Sequence, residues 1–274
     1  AVGAGEVEMQ VRAVGLNFKD VLNLLGQLPP RFLTPLGDDT AGVATLTGTH
    51  SADLLRGTEL FGIATGCLCN FVRARTDLRL VVRRPKHVSA SDACTLPGVW
   101  TTVHEVLARA SVKRNALLLL HAATGGVGIA SVEYLSWLGS PIIATAGQKS
   151  KHAILQRVGV VARCSSRRDG AFTFGLSYHG AGGRLNGTCN SLSNDFIAVS
   201  MAFLVEGGEF QEIGKRGAWS TARMEAAATT ARALVTDLAT DVPRDLQWFN
   251  GLLRKLASRL QSGVVHGLPA TQFC

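Results

Sequence analysis

The stretch Leu117-Leu118-Leu119-Leu120-His121-Ala122-Ala123-Thr124-Gly125-Gly126-Val127-Gly128 carries the strongest structural signal in the chain. Four consecutive leucines are typical of a strand buried on both faces, and such strands belong to parallel sheets covered by helices. The glycines follow where the strand must turn into a helix, because a backbone without a Cβ can turn tightly there. The stretch therefore predicts the first strand, turn and helix of a βαβ unit.

The residues on both sides of this stretch extend the pattern. Downstream we predict helices at 126–138, 150–158, 195–204 and 246–260 and strands at 141–146, 160–164 and 209–213. Upstream, residues 6–14 alternate polar with apolar side chains, and short apolar runs follow at 41–46, 60–64 and 78–82. The sequence thus predicts a β-rich region followed by a doubly wound α/β domain with a parallel sheet.

Composition excludes several classes of protein. With 46% hydrophobic residues the chain of 274 residues can fill a core, so it is not globally disordered. The net charge of +8 is scattered in basic pairs without interleaved aromatic residues, which argues against nucleic-acid binding. Six cysteines and the lack of a secretory pattern favour the cytoplasm. The longest uncharged stretch, 115–132, contains the glycine turn, so we predict no membrane span.

The glycine turn is also a candidate phosphate site. A helix N-terminus behind a glycine turn offers N–H groups and a positive dipole to a pyrophosphate, although the same residues also make purely structural turns. The next strand ends without a carboxylate, and Lys149, Lys151 and Arg167 stand nearby in sequence. An acid there would bind a free ribose 2′-hydroxyl, whereas cations bind a 2′-phosphate. Unless these are ordinary solvated cations, they favour NADPH over NADH.

Several motifs together resemble the enoyl reductase domain of a modular polyketide synthase, a zinc-free branch of the medium-chain dehydrogenase/reductase superfamily. They occur in the family's order over nearly the whole chain. The motifs are Val11–Leu22 (with Lys19 where Arg is usual), Leu96–Thr102, the glycine turn, Cys164–Arg167, Asn190–Leu192 and Glu212–Lys215.

The resemblance implies a Rossmann-type doubly wound parallel sheet plus a smaller β-rich, GroES-like substrate domain. We expect residues 1–97 to form the substrate-binding domain and 98–264 the NADPH-binding domain. Residues 265–274 would return to the substrate domain, which we expect to be truncated. The implied reaction is hydride delivery from NADPH to the β-carbon of an α,β-unsaturated thioester on an acyl carrier protein, with neighbouring domains of a multidomain synthase as partners.

The resemblance also assigns site residues. Lys215 would donate the α-proton, paired with Asp237, and Asn17, Phe18 and Leu28 would contact substrate. The cofactor-binding residues would be Thr124, Gly125, Gly126, Val127, Gly128, Gly147, Lys149, Lys151, Arg167, Asn190, Ser191 and Gly214.

Some positions depart from the family or exclude other chemistry. Zinc relatives have Gly-His-Glu where this chain has Gly37-Asp38-Asp39, so we predict no metal. Leu28 replaces a frequent Tyr, and Leu185–Cys189 is more polar than a central strand should be. We expect His121 to be a hydrogen-bonded packing residue rather than a base. Two other functions stay open at this point: a free-standing quinone or alkene reductase, and a catalytically silent domain of a synthase.

Overall fold

The computed structural model describes residues 2–28, 33–49, 54–75, 80–110, 112–160, 162–179, 185–214, 217, 219–227 and 230–273. The chain divides into two units. Ala1–Thr101 with Leu238–Cys274 forms one, named here the β-rich unit, and Thr102–Asp237 forms the other, named the parallel-sheet unit. No helix within the described ranges has both the length and the hydropathy needed to cross a membrane.

Within the described ranges, the β-rich unit has a five-stranded antiparallel sheet in the order β4-β1-β2-β3-β5. Val7 and Met9 of β1 are fully buried, as expected when alternate side chains of a strand face the core. The strands are β1 (Glu6–Gly15), β2 (Asp39–Thr47), β3 (Glu59–Ile63), β4 (Phe71–Arg75) and β5 (Val81–Arg83). The helices are α1 (Phe18–Leu24), α2 (Ala90–Ala93), the start of α3 (Pro97–Arg109), and, near the C-terminus, α9 (Leu238–Asp241) and α10 (Leu246–Gln261).

The described part of the parallel-sheet unit has six strands, all parallel, in the order β11-β10-β9-β6-β7-β8. This is the strand order of the Rossmann fold, and it confirms the predicted fold class. The strands are β6 (Leu118–Leu120), β7 (Ile142–Ala146), β8 (Ala162–Ser165), β9 (Leu185–Asn190), β10 (Leu204–Glu212) and β11 (Arg232–Val235). The helices are α4 (Gly126–Leu138), α5 (Lys149–Arg157), α6 (Asp169–His179), α7 (Asp195–Ala202) and α8 (Thr221–Ala227).

The boundaries of the two units differ from the expected 98–264, because α10 lies in the β-rich unit. One face of α10, including Leu253 and Leu256, is fully buried, and the helix packs against β5. Near its end, Leu260 O lies 3.2 Å from His87 Nε2. Amphipathic spacing predicted the helix, but it does not show which sheet the apolar face covers.

Candidate functional site

The carboxyl ends of the six parallel strands lie along one edge of their sheet, named here the carboxyl edge. Strand order reverses between β6 and β9, and ligands of doubly wound sheets bind in the crevice at such a point. The predicted cofactor residues all lie at the carboxyl ends of strands or just after them, along this edge. They are Thr124–Gly128 after β6, Gly147, Lys149 and Lys151 after β7, Arg167 after β8, Asn190 and Ser191 at the end of β9, and Gly214 after β10.

The glycine turn joins β6 to α4 by a close backbone approach. All three residues of β6 are buried, and Gly125 N-caps the 13-residue helix α4. A Cβ on Gly128 would clash with the backbone of Ala123, so no larger residue fits there. A Cβ on Gly125 would meet only the Ala122 oxygen, at 3.4 Å. The first N–H groups of α4 therefore form a donor set suited to a phosphate.

Cations surround the turn after β7. The guanidinium of Arg167 lies against Gly147, since a Cβ there would be 2.6 Å from Arg167 Nε. Lys149 and Lys151 lie exposed in the first turn of α5, which contains no acidic residue. This turn therefore has the positive charge that a 2′-phosphate needs and lacks the carboxylate that a free ribose hydroxyl would favour.

A buried carboxylate links the ends of β9 and β10. Glu212 Oε2 accepts a hydrogen bond from Asn190 Nδ2 at 2.7 Å, and Glu212 Oε1 accepts one from Gly214 N at 2.6 Å. Burial raises the pKa of Glu212, and these two hydrogen bonds oppose that rise. The sequence motif Glu212–Lys215 contains this residue, but the sequence predicted no role for it. Glu212 lies near the end of a predicted strand and next to predicted site residues, and that position could have indicated a role in the site.

Ser191, directly after β9, bears on whether a nucleotide fits the carboxyl edge. Its Oγ is buried and has no hydrogen-bond partner among the described residues. A buried hydroxyl without a partner is costly unless a ligand or water completes it. Together with the close-packed glycine turn and the Arg167 cation, this hydroxyl makes the carboxyl edge fit a phosphorylated dinucleotide.

The two predicted catalytic residues have different outcomes. Lys215 lies outside the described residues, so its contacts stay a prediction. Asp237 is the second residue after β11 and is half-buried, which places its backbone near the carboxyl edge, close to the end of β10. The expected pairing of Lys215 with Asp237 therefore also stays a prediction.

The predicted substrate residues lie in the β-rich unit. Asn17 Nδ2 donates to Asp39 Oδ2 at 3.0 Å, and both carboxylate oxygens of Asp39 accept from Gly98 N, at 3.0 and 3.1 Å. Phe18 is 64% exposed, whereas Leu28 is 8% exposed. Asp39 was not among the predicted site residues. Its bond to Asn17 spans 22 positions, so no local motif indicates it.

Burial dominates the electrostatics around Asp39. It raises the pKa of Asp39 to about 7, against the lowering effect of the bonds from Asn17 and Gly98. Burial also raises the pKa of Cys67 and of Cys94 to about 12. Within the part of the chain that the structure describes, no three His, Cys, Asp or Glu side chains are grouped so as to hold a metal ion.

Comparison with known proteins identifies the relatives. No protein-family model matches the chain. Among curated proteins, pikromycin polyketide synthase component PikAII of Streptomyces venezuelae is 31% identical over 274 residues, which is 99% of this chain and 7% of that protein. Erythronolide synthase EryA2 of Saccharopolyspora erythraea is 35% identical over 214 residues, 77% of this chain and 6% of that protein. The chain thus spans only a small part of the length of these synthases.

Solved structures match this chain over a much larger share of their own length than the whole synthases do. The CurK enoyl reductase has 32% sequence identity and a TM-score of 0.90, with 98% of this chain and 83% of that chain covered. The chain belongs to the polyketide synthase enoyl reductases. The JamJ enoyl reductase agrees, with 26% identity and a TM-score of 0.92 over all of this chain and 85% of that one. The family predicted from the sequence motifs is therefore confirmed.

More distant structures share the fold of this enoyl reductase. Escherichia coli quinone oxidoreductase, which was solved in complex with NADPH, has a TM-score of 0.84 at 20% identity, covering 96% of this chain and 82% of that one. Identity above 30% is found with CurK and with the synthases, so the comparisons do not favour a free-standing quinone reductase.

Proposed function

We propose that this enoyl reductase reduces the α,β double bond of an enoyl thioester with NADPH during polyketide chain extension. The observation that carries the proposal is the carboxyl edge itself. A glycine turn at a helix N-terminus, a cationic turn and a buried unpartnered hydroxyl lie along the edge where dinucleotides bind in this fold. Membership of the polyketide synthase enoyl reductases supplies the reaction class.

Each group at the edge has a distinct role in holding the cofactor. The N–H groups at the start of α4 would bind the pyrophosphate, and Arg167 with the lysines of α5 would bind the 2′-phosphate. Ser191 would donate or accept a hydrogen bond at its Oγ. When bound, NADPH supplies the hydride that reduces the β-carbon.

Reduction at the β-carbon leaves negative charge on the thioester enolate, which needs a proton at the α-carbon. Lys215 would hold that proton on its ammonium group and would stabilise the enolate electrostatically. Asp237 would keep this lysine charged and oriented. An ammonium group suits both tasks because it is a donor and a cation at neutral pH.

The substrate and partners follow from the family. The enoyl chain would be carried on an acyl carrier protein, and other domains of a synthase would supply it and take it onward. We propose the cytoplasm as the compartment. Cys67, Cys69, Cys94, Cys164 and Cys189 are all free thiols, which suits a reducing environment.

Loss of NADPH absorbance on addition of a crotonyl thioester tests the proposal. We expect turnover with the thioester, and much slower turnover with a simple quinone measured in parallel. Faster reaction with the quinone would favour the free-standing reductase. NADPH binding without reaction of either substrate would show a silent domain, and no NADPH binding would overturn the nucleotide site as well.

A further inference from the structure

Ala122, which lies between the end of β6 and Gly125, has a strained backbone. Ala122 adopts a φ of +48°, in the left-handed region where a Cβ is unfavourable. Such conformations are energetically unfavourable and persist only where surrounding contacts fix them. Three backbone contacts hold this segment: His121 N donates to Cys189 O, Ala123 N to Thr145 O, and Gly125 N to Ala122 O.

A side chain completes this set of contacts. Ala122 N donates to Thr145 Oγ1 at 3.1 Å, so the strained residue is held by the hydroxyl of the neighbouring strand β7. Thr145 is fully buried. Its Oγ1 also lies 3.2 Å from Nδ1 of His121, and Nε2 of the same ring lies 2.9 Å from Ser200 Oγ.

The donor and the acceptor of each of these hydrogen bonds can be assigned. Ser200 Oγ must donate to Phe196 O, 2.6 Å away, because a carbonyl only accepts. Ser200 Oγ therefore accepts from His121 Nε2–H. Burial lowers the pKa of His121 to about 3, so the ring is neutral and its Nδ1 accepts. Thr145 Oγ1 then donates to Nδ1 and keeps a lone pair for Ala122 N–H.

We infer that His121 and Thr145 are positioning residues of the nucleotide site, which set the Ala122 backbone and thereby aim the N–H groups at the start of α4. The connected bonds run from Ala122 N–H through Thr145, His121 and Ser200 to the carbonyl of Phe196 in α7. The inference rests on the proposed function, since it gives these buried groups a role in cofactor affinity.

Affinity for NADPH in Thr145 variants tests this inference. Thr145→Val keeps the volume and removes the hydroxyl, which leaves Ala122 N–H and His121 Nδ1 without partners. We expect NADPH to bind roughly ten-fold more weakly, the usual effect of leaving a buried donor unpaired. Thr145→Ser keeps the hydroxyl and should restore affinity to within about two-fold of the wild type.

Thr188→Val is the matched control. Thr188 is a buried threonine on β9, the other neighbour of β6, and its Oγ1 has no hydrogen-bond partner among the described residues. Removing that hydroxyl should leave NADPH affinity unchanged. Ser200→Ala provides a second test at the far end of the bonds, and we expect a loss of roughly three-fold because His121 Nε2–H loses its acceptor.

A fragment of the cofactor separates positioning from general damage. Adenosine 2′-monophosphate keeps the 2′-phosphate but has neither phosphate of the pyrophosphate, so Thr145→Val should bind it as the wild type does. Unchanged NADPH affinity in Thr145→Val and Ser200→Ala would overturn the inference. Equal loss of NADPH and of the fragment would also overturn it, in favour of a purely structural role. A wild-type protein that binds neither would instead refute the proposed nucleotide site.

Discussion

Arg167 is one of three exposed cations that we propose bind the 2′-phosphate of the cofactor. Arg167→Ala should lower NADPH affinity by about ten-fold, a value at the low end for a charge-assisted contact because solvent screens the pair. NADH affinity should not change, since it has no 2′-phosphate. Titration calorimetry with both nucleotides measures the difference, and Lys151→Ala should act in the same direction.

Arg157→Ala is the control for this prediction, because Arg157 lies in the last turn of α5, at the opposite end from Lys149. It should leave both affinities unchanged. Equal affinity of the wild type for NADPH and NADH would contradict the assignment of a 2′-phosphate site.

Lys215→Ala separates cofactor binding from protonation. The variant should bind NADPH normally, since the phosphate contacts involve other residues, while turnover falls by about 10²–10⁴-fold, the usual contribution of a general acid. In heavy water, residual product should carry deuterium at the α-carbon with reduced stereochemical preference. Asp237→Asn should act in the same direction and more weakly. Full turnover with unchanged α-carbon stereochemistry would show that another group donates the proton.

Residue types and local spacing predicted the glycine turn and the positions of the cations near it, whereas Asn190 and Ser191 were indicated by a family motif, and the cofactor contacts of all these residues stay predictions. Residue types and spacing were not sufficient for Asp39, Glu212 or the contacts of His121. His121 bonds to Ser200, 79 positions away, and Asp39 bonds to Gly98, 59 positions away. Such pairs exist only once strands and helices have packed, so no window of sequence contains them.

At the scale of elements, β9 shows why a polar sequence can form a central strand. Asn186 Oδ1 of β9 accepts from Leu117 N at 2.8 Å, which satisfies the backbone amide of the residue just before β6. A Cβ on Gly187 would lie 2.6 Å from Leu118 Cδ2, so the glycine makes room for the leucine of β6. Two of the unpredicted elements, β4 and α6, lacked clear signals, because two of the five residues of Phe71–Arg75 are charged and Asp169–His179 has little amphipathic contrast.

Helix α10 should stabilise the β-rich unit through its buried leucines. Leu256 is fully buried, so Leu256→Ala should lower the free energy of unfolding by about 2–5 kcal/mol. Val264→Ala is the control, since Val264 is 41% exposed and should cost about 0.5 kcal/mol or less. Urea unfolding followed by circular dichroism measures both. Similar values for the two variants would contradict the docking of α10.

For the whole molecule, buried groups make stability depend on pH in opposite senses: Asp39 and Glu212, whose pKa values are raised, in one sense, and His121, whose pKa is lowered, in the other. Asp39 has its pKa raised from 3.8 to about 7, so its favourable contribution is complete below 3.8 and is lost as pH rises towards 7. His121 has its pKa lowered from 6.5 to about 3, so the unfolded chain takes up a proton that the folded protein excludes, and stability is lost as pH falls below 6.5. Between pH 3.8 and pH 6.5, the free energy of unfolding falls with rising pH because of Asp39 and rises with pH because of His121.

Asp39→Asn should remove one of these slopes. The unfolding free energy of the variant, minus that of the wild type, should rise with pH between about 4 and 7 by up to roughly 1.4 kcal/mol per pH unit. Urea unfolding at several pH values in that window gives the difference. A difference that does not vary with pH would show that Asp39 ionises in the folded protein as it does in the unfolded chain.

The division of the β-rich unit between the two ends of the chain imposes a delay during synthesis. The ribosome must make all 136 residues of Thr102–Asp237 after β5 and before α10. At about 5–20 residues per second this takes on the order of ten seconds. Throughout that time the apolar surface of β5 that α10 covers has no partner, so a nascent chain is most exposed to aggregation or chaperone capture in this interval, before its last long helix is made.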